Sequence, residues 1–161
     1  MTEKMAKAMN DQLNEELFSS YLYLSMAAYF ENLGLRGFAH WMEVQAKEEL
    51  EHAMKFYRFI NERGCRVLLK EVRAPETDWN SPLHAFEEAL KHEKYITSRI
   101  NELMRLSREE NDYASEIFLQ WFVTEQVEEE ASVGEVVDKL KLVKDSPNGL
   151  FIIDRELGMR K

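Results

Sequence analysis

Four long stretches of this chain place apolar residues in steps that alternate between four and three. The series run Met9, Leu13, Glu16, Ser20, Tyr23, Ala27, Phe30; Phe38, Met42, Gln45, Glu49, His52, Phe56, Phe59; Phe86, Leu90, Glu93, Thr97, Ile100, Met104; and Leu119, Phe122, Gln126, Glu129, Val133, Val136, Leu140. Residues so spaced lie on one face of an α-helix. Leu17 and Leu24 widen the first stripe. Four such stripes must bury against one another, so the pattern predicts an all-α four-helix bundle. Only 3 Pro and 6 Gly occur in 161 residues, which suits long uninterrupted helices in a single domain spanning residues 1–161.

The connections set the topology. The expected helices run from Glu3 to Leu33, from Phe38 to Arg63, from Ser81-Pro82 to the Asn111-Asp112 turn, and from Tyr113 to Val143. Gly34 to Gly37 is a short turn of the kind that joins antiparallel neighbours. Residues 64–81 have no helical period and are too long for a hairpin; Val67-Leu68-Leu69 suits either a short strand or a cover on the bundle. Extended, that segment reaches about 55–60 Å, against about 39 Å for a helix of ~26 residues. It therefore spans the bundle and sets the third helix parallel to the second, giving an up-down pair, a long crossover and a second up-down pair. Ser146-Pro147 opens a short fifth helix, Asn148 to Leu157, which Gly158 ends. Its apolar residues Leu150, Phe151, Ile153 and Leu157 suggest docking on another subunit.

The net charge of −9 disfavours a nucleic-acid partner and suits cations. A lone Cys65 fits a reducing compartment. No stretch reads as a membrane span, and Met1-Thr2-Glu3-Lys4 does not open a signal peptide, so a cytoplasmic location is expected.

Each stripe is broken once by side chains able to hold metal: Glu16, Glu49 with His52, Glu93, and Gln126 with Glu129. All lie within about a turn of their helix midpoints, so in a bundle they meet at one level. Glu49 and His52, one turn apart, can share an ion. Buried and unpaired, such groups cost several kcal/mol (about 3–5 for a lone charge), so a counter-charge is required. Carboxylates with one histidine suit a pair of iron or manganese ions better than zinc. Only the second helix carries Glu-x-x-His, so the second metal position is poorer in ligands and favours labile binding.

The stretches Leu13–Tyr23, Gln45–His52 and Phe118–Glu130, with the closing Gly149–Leu157, resemble prokaryotic non-haem ferritin over nearly the whole chain. The resemblance implies the ferritin-like bundle with a short fifth C-terminal helix. It implies a first iron site at Glu16, Glu49 and His52, and a second at Glu49 as bridge, Glu93 and Gln126. It also implies an outer site of Glu48, Glu125, Glu128 and Glu129. Tyr23 matches the family tyrosine beside the centre, either as a redox neighbour or as plain core, with Trp121 near by. The implied activity is oxidation of Fe(II) by O₂ or H₂O₂, with storage of Fe(III) mineral in a shell commonly of 24 subunits. Bacterioferritins fit less well, since they place Glu at Gln126, His at Glu129 and a haem-binding methionine at Leu50; no haem is expected. Mini-ferritins lack the fifth helix. An oxygenase or manganese catalase on the same bundle is the alternative enzyme, and a subunit that only nucleates mineral is the alternative without catalysis. His40, His84 and His92, off the inner stripes, read as surface or interface residues, and the eight methionines read as core.

Overall fold

The computed structural model describes residues 1–161 as five α-helices: α1 Glu3–Asn32, α2 Arg36–Glu62, α3 Pro82–Glu109, α4 Tyr113–Val143 and α5 Pro147–Leu157. Side-chain oxygens of Thr2, Ser81, Asp112 and Ser146 each accept an early backbone N–H and start α1, α3, α4 and α5. Helix α2 has no such residue of its own; Asp154 of α5 accepts from Gly37 N and Phe38 N at 2.8 and 3.1 Å and caps it instead.

Helices α1, α2 and α3 end alike. Leu35 N, Cys65 N and Asp112 N reach back to Phe30 O, Ile60 O and Ser107 O, bonds that close a helix when the preceding residue turns left-handed. Gly34 and Gly64 take that conformation, and Asn111 does so at φ 54°.

Helices α1 and α2 pack as one hairpin and α3 and α4 as the other, with α1 against α3 closing the bundle. The crossover forms no strand; it lies along α1 in the α1 direction. Asn10 donates to Arg66 O and accepts from Leu68 N, while Asn14 donates to Leu68 O and accepts from Lys70 N. Two asparagine side chains thus supply the ladder that a neighbouring strand would have offered. Further on, Ser25 donates to Glu76 O. Of the expected cover, Val67 packs against the bundle while Leu68 and Leu69 point outward.

The core is divided. One apolar cluster includes Phe30, Phe38, Met42 and Phe86, and the other includes Met5, Leu13, Phe56, Ile60 and Phe122. Between them lies a layer of buried polar residues, among them Glu16, Gln45, Glu49, His52, Glu93, Gln126 and Glu129.

Three expectations change. The stripe of α3 is rotated by about one residue, so that Ala89, Ile96 and Leu103 are buried and Leu90, Thr97 and Met104 only partly so. On α1, Leu24 is exposed and Phe18, Leu22 and Met26 are buried in its place, because α3 closes over that side. Helix α5 docks on its own chain, against α2 and α4, with Ile153 and Leu157 entering the first cluster and Phe151 left outside. No helix is long and apolar enough to cross a membrane.

Candidate metal centre

Glu16 of α1, buried to 1% exposure, faces Glu49 and His52 of α2. His52 Nδ1 lies 3.2 Å from Glu49 Oε2 and 3.9 Å from Glu16 Oε2. Donor atoms around one ion at about 2.1 Å stand roughly 3–3.5 Å apart, so this trio needs little movement to close on a cation. Glu16 Oε2 has no hydrogen-bond partner although it is buried. A lone pair buried without a donor is costly, and a metal ion satisfies it.

Two further groups overlap the first. Glu49, Glu93 and Glu129 offer oxygens within 4.8 Å of one another, as do His52, Glu125 and Glu129 with their ligand atoms. Gln126, from α4, donates its amide nitrogen to Glu93 Oε2 and O and to Thr97 Oγ1 at 3.1–3.2 Å. Its carbonyl oxygen is the donor it has for a metal. Tyr23 donates its hydroxyl to Glu93 Oε1 at 2.5 Å. Trp121 and Phe122 flank the His52 ring at 5.4 and 5.9 Å, and Lys55 lies over Trp121.

The electrostatics follow from burial. Desolvation pushes Glu16 well above the carboxylate range, reinforced by the charge of Glu49. Glu49 is raised likewise by desolvation and by Glu93 and Glu129. Desolvation raises Glu93 and takes Glu129 to about 8. Several carboxyl groups at one level cannot all ionise without a counter-charge. Burial therefore favours bound protons in this layer, and divalent ions held there would displace them.

The outer set is brought together only in part. Glu125 and Glu129 join His52, and Glu129 also stands beside Glu49 and Glu93. Glu48 is drawn to Arg160 at 2.9 Å, and Glu128 is exposed. His92 is not a surface residue. It is largely enclosed, shares a 2.7 Å hydrogen bond with Ser19, and packs edge-on to Phe18 and Tyr23. Burial and then Arg73 lower it to about 4, so it stays neutral. His40 is partly buried and bonds to Arg160 O, while His84 remains largely at the surface.

Sequence reasoning did not assign roles to Gln12, Gln45, Arg99 and Arg160. Gln12 and Gln45 each precede a cluster glutamate by four residues, and that repeated Gln-x-x-x-Glu spacing was the available signal. The arginines arrive from α3 and the C-terminal tail, and no local pattern points to them.

Fold and layer together define a carboxylate-lined helical bundle of the kind that holds divalent metal. Residues 6–143 match the ferritin-like domain family. The chain belongs to that family. A bacterial non-heme ferritin of Bacteroides fragilis is 41% identical over 160 residues, covering 99% of each chain. A probable bacterial non-heme ferritin-like protein of Haemophilus influenzae is 40% identical over 158 residues, 98% of this chain and 96% of its own. An open-pore ferritin from the hyperthermophilic archaeon Archaeoglobus fulgidus superposes with TM-score 0.99 at 50% identity, over 100% of this chain and 99% of that one.

Proposed function

We propose that the protein is a ferritin that oxidises Fe(II) and stores the Fe(III) product as mineral inside a shell of its own copies. The observation that carries this reading is the buried trio of Glu16, Glu49 and His52, with an unpartnered carboxylate oxygen aimed between its members. Family membership supports iron as the metal, and the relatives' names specify non-heme ferritin. In this reading Glu16, Glu49 and His52 hold one Fe(II), and Glu49, Glu93 and Gln126 hold the second, with Glu129 beside them. Bound iron gives one electron per ion to O₂ or H₂O₂.

The chain's own residues do the rest. Anionic oxygen ligands favour Fe(III) over Fe(II) and lower the barrier to electron loss. Tyr23 holds Glu93 by its hydroxyl and sits where an electron can be supplied. The single histidine leaves the second position weakly held, so the oxidised product departs. Glu125 and Glu129 offer an outer resting place on that route. Assembly is supported by apolar surface with no partner in one chain: Tyr21, Leu24 and Leu50 line a shallow groove with Leu17 and Val72.

Stopped-flow oxidation of Fe(II) by the wild type and by Glu49→Ala tests the chemistry. Loss of the fast phase is expected in the variant, and equal rates remove the enzymatic claim. For storage, native mass with iron content after aerobic Fe(II) loading is expected to give a large particle holding far more iron than its centres. A small oligomer retaining only the centre's metal would favour the oxygenase or catalase alternative.

A further inference from the structure

The inner carboxylates are held by two matching chains of hydrogen bonds that begin outside the layer. On one side Arg99 Nε donates to Gln12 Oε1 at 2.8 Å, and Gln12 Nε2 donates to Glu16 Oε1 at 3.0 Å. On the other Arg160 Nη2 donates to Gln45 Oε1 at 2.9 Å, and Gln45 Nε2 donates to Glu49 Oε1 at 2.9 Å and Glu129 Oε2 at 2.6 Å. Both glutamines are fully buried, and both sit four residues before the glutamate they hold.

An amide presents either a donor or an acceptor, depending on which way it is turned. Turned the other way, each glutamine would aim a carbonyl oxygen at a carboxylate. Arginine has no acceptor, so an arginine against Oε1 settles the choice. In both chains the bonded oxygen is Oε1, which leaves Glu16 Oε2 and Glu49 Oε2 facing His52 Nδ1.

We propose that Arg99 and Arg160 are positioning residues: each locks a buried glutamine with its amide nitrogen toward the centre, so that Glu16 and Glu49 present one chosen oxygen to the metal. The two arginines touch no metal ligand of the inner trio themselves. Arg160 is further seated by donating to Trp41 O and by stacking on the Trp41 ring at 4.1 Å. Its bond to Glu48 also places a fixed cation where the resemblance sets part of the outer site. The C-terminal tail, beyond α5, is by this account a working part of the centre.

The proposal rests on the metal-centre reading above, and Co²⁺ titration followed by visible absorption separates the two. A wild type that binds no Co²⁺ within the chain overturns that reading and this one with it. Given wild-type binding, Arg99→Met and Gln12→Met are each expected to weaken the Glu16 position by about 10-fold or more, as changes behind a ligand usually do. The double variant should then be no weaker than Gln12→Met alone, because the arginine acts only through the amide. Arg160→Met with Gln45→Met should behave in the same way at Glu49. Losses that multiply in the doubles, or single arginine variants with unchanged affinity and spectrum, overturn the proposal. If a methionine variant does not fold, Arg99→Lys and Arg160→Lys are titrated instead: a shifted spectrum, from a donor no longer fixed by the planar fork, supports it, and a wild-type spectrum and affinity oppose it.

Discussion

Tyr23 and Glu93 share a hydrogen bond buried from bulk solvent, and that bond ties a phenol to a carboxylate that burial has already pushed up. Tyr23→Phe removes the donor and leaves Glu93 short of a partner. Metal-stripped Tyr23→Phe is expected to lose about 1–3 kcal/mol in denaturant unfolding. An unchanged midpoint would leave only a redox role for the hydroxyl. Glu16, Glu49, His52, Glu93, Gln126 and Glu129 were legible in the sequence because each interrupts an apolar stripe where only a special reason tolerates a polar group. His92 was not. It lies beside the stripe of α3, and its burial comes from the rotation of that helix and from the crossover passing over it, neither of which has a local signature.

At the scale of elements, α2 and α5 meet closely at Gly37. A Cβ added to Gly37 would stand 1.6 Å from the carbonyl oxygen of Asp154, so no side chain fits while α5 is docked. Gly37→Ala is expected to push α5 away, undo the Asp154 cap of α2 and cost about 1–3 kcal/mol. Thermal unfolding together with hydrogen exchange in residues 147–157 checks this; unaltered protection of α5 would refute it. The caps at Ser81 and Ser146, the stop at Gly64 and the bounds of α4 were all readable, since each depends on a few adjacent residues. The seat of α5 was not readable, because Leu150, Ile153 and Leu157 show only that the helix has an apolar side. What that side meets is set by Gly37, more than 100 residues earlier.

For the molecule as a whole, the buried carboxyl layer makes stability depend on pH and on metal. Glu129 titrates near 4.5 when unfolded and about 8 when folded. The folded chain therefore keeps a proton that the unfolded chain gives up. That contribution is complete below about 4.5 and is lost as pH rises toward 8. Glu16, Glu49 and Glu93 act in the same direction. Metal-stripped protein is expected to melt at a lower temperature at pH 8 than at pH 6, and anaerobic Fe(II) binding should release protons measurable in a pH-stat. A higher melting point at pH 8, or binding without proton release, would count against a protonated layer. The division of the core has a further consequence. Oily rods of this length can slide past one another by a turn and still find grease to rest in. Here a slip of one turn would carry carboxylates off their shared level and toward one apolar cluster or the other. The acidic waist thus works as an index mark, favouring the one alignment of the rods in which the carboxylates share a level.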